Sequence, residues 1–131
     1  MYLLDTNICI ALIQGNPRAV EAFNRRREDC YLSTIVLAEL YKGVYCSQRV
    51  EQNLETLQQF VKPFEIAPFD SALAIEFGKI QAELRLIGRP TGSLDAMIAA
   101  VARSRQSILV TNNIRHFESI PNLHLENWLT S

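Results

Sequence analysis

Tyr2-Leu3-Leu4-Asp5-Thr6-Asn7 is the stretch that decides the fold. One aromatic and two leucines run without alternation and stop at a carboxylate. An apolar run this short and unalternated marks a strand covered on both faces, as in a parallel sheet. Open parallel sheets bind their ligands outside the carboxyl ends of the strands. Asp5 is therefore the first candidate for chemistry, although an Asp at that point also serves to cap a following helix. A strand starting at residue 2 leaves no room for a signal peptide or transit segment.

Outward from this strand, Ile8-Cys9-Ile10-Ala11-Leu12-Ile13 predicts a short helix, capped by Thr6 or Asn7 and stopped by Gly15-Asn16-Pro17. A second helix is expected over 18–28, with Val20 and Phe23 inside and a charged tail Arg25-Arg26-Arg27-Glu28-Asp29. Cys30-Tyr31-Leu32 reads as a second strand. Ser33 then caps a helix through Ile35, Val36, Leu37, Leu40 and Val44, and Ser47 caps another through Val50, Leu54, Leu57 and Val61. Phe64-Glu65-Ile66 is a third strand. Asp70 caps a helix whose Leu73, Phe77, Ile80, Leu84 and Ile87 step by four and three. After a loop at Gly88-Arg89-Pro90-Thr91-Gly92, residues 93–103 form an Ala-rich helix buried in the domain. Ile108-Leu109-Val110 is a further apolar strand, followed by a turn or short helix carrying Arg115-His116-Phe117 and a last strand at Leu123-His124-Leu125-Glu126. Strands alternating with helices predict an α/β fold: a three-layer α/β/α sandwich with a central, largely parallel sheet, in a single domain over 1–131.

The totals bound the function. The chain has 131 residues, 48% of them hydrophobic, which gives one domain with a proper core. No apolar run is long enough to cross a bilayer, so a soluble, cytoplasmic protein with no membrane partner is expected. A net charge of -1 excludes a uniformly basic nucleic-acid binder but leaves room for a basic patch around an acidic centre. Cys9, Cys30 and Cys46 form no Cys-x-x-Cys pair and indicate a reducing compartment; all three read as small buried hydrophobes.

The acidic residues carry the chemistry. Glu39 falls at the border of the Val36-Leu40-Val44 stripe, with Gly43 one turn on; an ordinary solvated Glu is the plainer account of it alone. Asp95 is more telling. It lies near the start of the Ala-rich helix, whose Leu94, Met97, Ile98 and Val101 form one apolar face. A favourable contact with the helix dipole explains that position but not burial, and a buried carboxylate is costly unless paired or metal-bound. Asn112 and Asn113 follow a strand end like that of Asp5, as turn residues or as ligands through the carbonyl of the side chain. An oxygen-only cluster of Asp5, Glu39 and Asp95 suits Mg²⁺ or Mn²⁺ rather than zinc, with phosphate oxygens as partners. Rival chemistries lack their motifs. The five glycines make no phosphate-cradling loop, His116 and His124 are not spaced as metal ligands, and no Gly-x-Ser-x-Gly is present. An aspartyl-phosphate phosphatase would use Asp5 as nucleophile, but the second Asp of its Asp-x-Asp element is here Asn7.

Four motifs in order carry a resemblance: Leu-Leu-Asp-Thr-Asn at 3–7, Ser-x-x-x-x-Ala-Glu-Leu at 33–40, Leu-Asp-Ala-Met-Ile-Ala-Ala at 94–100, and Val-Thr-Asn-Asn-x-x-His-Phe at 110–117. Together they resemble the PIN domain, and more closely the VapC-type toxins of type II toxin–antitoxin systems. The resemblance implies a Mg²⁺- or Mn²⁺-dependent endoribonuclease. Asp5, Glu39 and Asp95 match three family acids; the fourth acidic position falls on Asn113, with one charge fewer near the metal. Thr6 and Thr111 match family hydroxyls near the site. RNA would need local positive charge, for which Arg25, Arg26, Arg27, Lys42, Arg89 and Arg115 are the candidates. The implied partners are an RNA substrate, a cognate antitoxin lying over the active site, and a second copy in a homodimer, with exposed apolar surface on the 8–13 or 47–61 helix as the docking surface. The rival from another class is a non-catalytic PIN-like module that binds RNA or protein without cutting.

Overall fold

β1 (Tyr2–Leu4) is the middle strand of a five-stranded sheet in the computed structural model, which describes residues 1–130. The strand order is β3-β2-β1-β4-β5, with β2 at Cys30–Ser33, β3 at Ile66–Ala67, β4 at Ile108–Val110 and β5 at His124–Glu126. Every pairing is parallel, and β1 registers Leu4 on Val110 and Tyr2 on Cys30. Leu3, Leu4, Leu109 and Val110 are wholly buried, as the unalternated runs require. Each such side chain contributes on the order of 2 kcal/mol by leaving water.

Seven helices connect the strands: α1 (Thr6–Ile13), α2 (Pro17–Arg26), α3 (Thr34–Tyr45), α4 (Val50–Val61), α5 (Ser71–Leu86), α6 (Ser93–Ser104) and α7 (Ile114–Phe117). The chain steps from β1 outward to β2 and β3, then crosses back to place β4 on the other side of β1. Right-handed connections in both directions put helices on both faces. The reversal makes the carboxyl ends of β1 and β4 the topological switch point, where ligands of such sheets bind.

Local chemistry explains the boundaries. Ser33 Oγ accepts from Val36 N–H, and Asp70 Oδ1 accepts from Leu73 N–H, so both cap as expected. Several expectations are corrected. The cap of α1 is Asp5 itself, which accepts from Thr6 N–H at 2.8 Å; Thr6 and Asn7 are already helical. The second helix stops at Arg26, and Arg27–Asp29 form a tight 3₁₀ turn into β2. Ser47 does not open α4. Its hydroxyl donates back to Val44 O and accepts from Asn53 Nδ2, and α4 begins at Val50. The third strand is only Ile66–Ala67, because Phe64 N–H still closes a turn onto Val61 O. Cys46 is exposed, at the end of α3; only Cys9 and Cys30 are buried, and burial pushes both thiols up, Cys30 to about 12. Leu94 is 49% exposed, so the first turn of α6 is not covered on the face expected for it.

Candidate active site

Asp5 ends β1 and is 4% exposed. Its carboxylate is gripped by neutral donors: Thr6 N–H to Oδ1 at 2.8 Å, Thr111 Oγ1 to Oδ2 at 2.8 Å and Asn7 Nδ2 to Oδ2 at 3.3 Å. Thr111 follows β4, so this contact joins the two strands of the switch point. Thr111 is itself buried, and its hydroxyl also accepts from Asn113 N–H at 3.0 Å. Burial raises the pKa of Asp5; the Thr111 and Thr6 bonds pull it down, and the charges of Glu39 and Asp95 push it up again. The net direction is upward. The last two contributions record that three acids from three separate elements share one electrostatic neighbourhood.

Glu39 lies half-buried in α3, and its Oε1 accepts from Thr6 Oγ1 at 2.6 Å. Thr6, one residue past Asp5, thus ties α1 to α3. Asp95 sits in the first turn of α6 with its side chain 27% exposed. It is therefore not the buried carboxylate that the Ala-rich surroundings led us to expect. Its Oδ2 accepts from His116 Nδ1–H at 3.0 Å; a carboxylate only accepts, which fixes the imidazole tautomer. Asn113 is exposed, and its carboxamide makes no hydrogen bond among the described residues.

Two groups were not foreseen as part of this site. Asn7 donates to Asp5 and accepts from Asn112 N–H at 2.8 Å, and Asn112 Oδ1 in turn accepts from Asn127 Nδ2 at 3.2 Å. His116, not spaced as a metal ligand, instead holds the carboxylate of Asp95. The signals were present, since Asn7 stands two residues past a strand-end Asp and His116 belongs to a quoted motif, but each partner lies far away in sequence.

The basic candidates divide. Arg89 and Arg115 line one cavity with Asp95. Lys42 is exposed on α3, one turn past Glu39 and on the same side of the helix. Arg25, Arg26 and Arg27 are not brought to the acids. They lie where the chain returns to the start of β2, near the opposite edge of the sheet. Arg25 pairs with Glu21 at 2.9 Å, Arg26 donates to the Tyr2 hydroxyl at 3.1 Å, and Arg27 lies 4.8 Å from the centre of the Phe23 ring.

Among the described residues, no three His, Cys, Asp or Glu side chains are arranged to hold an ion directly. The donor set is nevertheless all oxygen. Glu39 and Asp95 each use one carboxylate oxygen in a hydrogen bond, leaving the other available. A cation held by one or two carboxylates and otherwise by water, the habit of Mg²⁺, fits such a set. A second cavity, of about 330 Å³, lies between α1, α3 and α4; Ile10, Ile13, Val44 and Leu57 line it, with Glu39 among its lining residues.

A family model for the PIN domain matches residues 2–123. The chain belongs to the PIN domain family. The tRNA(fMet)-specific endonuclease VapC of Shigella flexneri is 44% identical to it, with 97% of each chain covered. The crystal structure of VapBC2 from Rickettsia felis, bound to a DNA fragment from their promoter, superposes with a TM-score of 0.91 at 38% identity, covering 97% of this chain and 98% of that one. The DNA-bound VapBC of Salmonella typhimurium does so with a TM-score of 0.91 at 41% identity, covering 97% of each chain. The expected α/β architecture is thus that of VapBC structures. The PIN fold accounts for the placement of Asp5 and Thr111 at adjacent strand ends. No described helix is long and apolar enough to cross a membrane.

Proposed function

We propose that this PIN domain is the toxin of a type II toxin–antitoxin pair, a cytoplasmic endoribonuclease that hydrolyses RNA phosphodiester bonds with a divalent cation, Mg²⁺ or Mn²⁺. The observation that carries it is Asp5: a buried carboxylate at the β1/β4 switch point, raised in pKa by burial and by the charges of Glu39 and Asp95. Like charges gathered there repel, and a cation would balance them. A bound Mg²⁺ or Mn²⁺ would lower the pKa of a water nucleophile and stabilise charge on the scissile phosphate.

The chain's own residues would do the rest. Asp5 and Asp95 hold the cation, directly or through water. Thr111 and Asn7 keep the Asp5 carboxylate aimed out of the strand end, and His116 does the same for Asp95. Glu39, braced by Thr6, completes the charge balance and positions the attacking water. Asn113 offers a neutral carbonyl oxygen in place of a fourth charge, which weakens a second ion unless substrate phosphate helps to hold it.

The substrate named for the Shigella flexneri relative makes a tRNA the first RNA to try. The apolar groove between α1, α3 and α4 is where the antitoxin would lie, since a chain seated there also reaches Glu39; this chain would act as a homodimer, as the resemblance implies. The test is to incubate cation-loaded protein with total RNA, map the cut ends, and compare Asp5→Ala and Asp95→Asn. Cleavage that disappears in both variants supports the nuclease. RNA left intact by the unmodified protein, or an effect on growth that survives Asp5→Ala, supports the non-catalytic module instead.

A further inference from the structure

Beside Asp95, one cavity of about 340 Å³ is left unused by the reaction. Its walls are the loop between α5 and α6, carrying Arg89 and Thr91, and helix α7, carrying Arg115 and His116, with Glu118 just past its end. Asp95 is the member of the acidic set that lines it. The two walls are laced together, because Thr91 Oγ1 donates to His116 O at 3.1 Å while His116 holds Asp95 at 3.0 Å. Its shape is thus set by the fold. Its volume lies at the small end of the range, about 300–1,000 Å³, seen for ligand sites.

The charges in the cavity are unbalanced. Among the described residues Arg89 and Arg115 form no salt bridge, in contrast to Arg103 and Arg105, which both pair with glutamates. Of the two carboxylates in the lining, Asp95 is turned to His116 and to the cation proposed above, which leaves Glu118 alone against two guanidinium groups. A guanidinium matches the two oxygens of a phosphate in a planar fork. Glu118 disfavours a compact free anion of high charge. It is tolerable to a phosphodiester, which carries one charge and is tethered at both ends.

We propose that this cavity is a phosphate subsite: Arg89 and Arg115 clamp an RNA backbone phosphate next to the one being cut, and so set the register of the strand across Asp5 and Asp95. The inference rests on the nuclease reading. Arg89 and Arg115 are binding residues, not catalytic ones, because they reach a phosphate that does not react.

The test uses the full chain and a fluorescein-labelled initiator tRNA transcript. Binding is measured by anisotropy in chelator over a salt series, and cleavage in Mg²⁺. Arg89→Ala and Arg115→Ala should each weaken binding and raise KM about tenfold, with kcat nearly unchanged. Each should also flatten the dependence of log K on log salt by about 0.7, the increment for one neutralised phosphate of a single strand. Arg→Lys at either position should restore the salt slope and only part of the affinity, because the ammonium cannot fork. Lys62→Ala, on the exposed end of α4, should change neither. A cleavable oligoribonucleotide with one neutral methylphosphonate linkage, moved stepwise from the cut, should bind weakly at one position to the unmodified protein. At that position alone the Arg89→Ala/Arg115→Ala protein should show no further loss. RNA cut normally by variants with unchanged Kd, KM and salt slope removes the subsite and leaves the nuclease standing. An unmodified protein that neither binds nor cuts RNA removes both.

Discussion

Asp5 is destabilised in its charged form by its own surroundings, and this has a measurable sign. Its pKa in the folded chain lies above the ordinary 3.8, chiefly through burial. A carboxyl raised in this way holds its proton more tightly folded than unfolded. Its contribution to stability is therefore present below the ordinary value and is lost as pH rises through the raised one. Metal-free protein should melt at falling temperature across that window, and Asp5→Asn should flatten the profile when thermal melts in chelator are compared. The same variant should lose about a thousandfold in cleavage rate. Thr111→Val should cost about 1–3 kcal/mol, because it strips donors and acceptors from a buried pair; chemical denaturation would measure it. Asp5 stands out in the sequence as a carboxylate at a strand end, whereas Glu39 alone reads as an ordinary solvated residue, and Asp95 stands out for a burial it does not have. Their holders do not stand out. Thr6 reaches Glu39 across 33 positions and His116 reaches Asp95 across 21, and no local pattern encodes such distances.

At the scale of elements, what was local could be read and what was tertiary could not. Ser33 and Asp70 cap the helices expected of them, because a cap needs only the next three residues. Ser47 failed for the same reason in reverse: its hydroxyl found Val44 O behind it before a helix ahead. Likewise β3 shrank because Phe64 belongs to the turn closing α4. Arg103 ties α6 to α5. It donates to Glu76 and Glu83 of α5 at 2.7 Å each and to Pro121 O at 3.2 Å. Arg103→Ala would leave two glutamates without their cation, and should cost about 2 kcal/mol, less than a fully buried pair because both can regain water. Because α6 carries Asp95, the same variant should also weaken cation binding; isothermal titration with Mn²⁺ reads that directly.

For the whole molecule, a cation held by the three acids as proposed would be linked to folding, because it binds the folded chain alone. Millimolar Mg²⁺ or Mn²⁺ should raise the melting temperature, by the equivalent of about 2.7 kcal/mol at a hundredfold excess over Kd. The shift should vanish in Asp5→Asn; an unmodified protein that melts alike with and without the ion would argue against the site. The fold class was legible because buried parallel strands and crossover helices leave distinct patterns, whereas the strand order was not, since β1 and β4 look alike in sequence and nothing local tells which neighbours which. That order has a consequence for assembly. The bond from Thr111 to Asp5 spans 106 positions, and β1 gains its neighbour β4 only late in the chain, with β5 then pairing on β4. A chain that has formed only β1 to β3 holds Asp5 and Glu39 but lacks the Thr111 hydroxyl that braces Asp5. The carboxylate of the first strand thus gets its buried partner from the fourth, and the site is complete only when both ends of the chain have docked side by side.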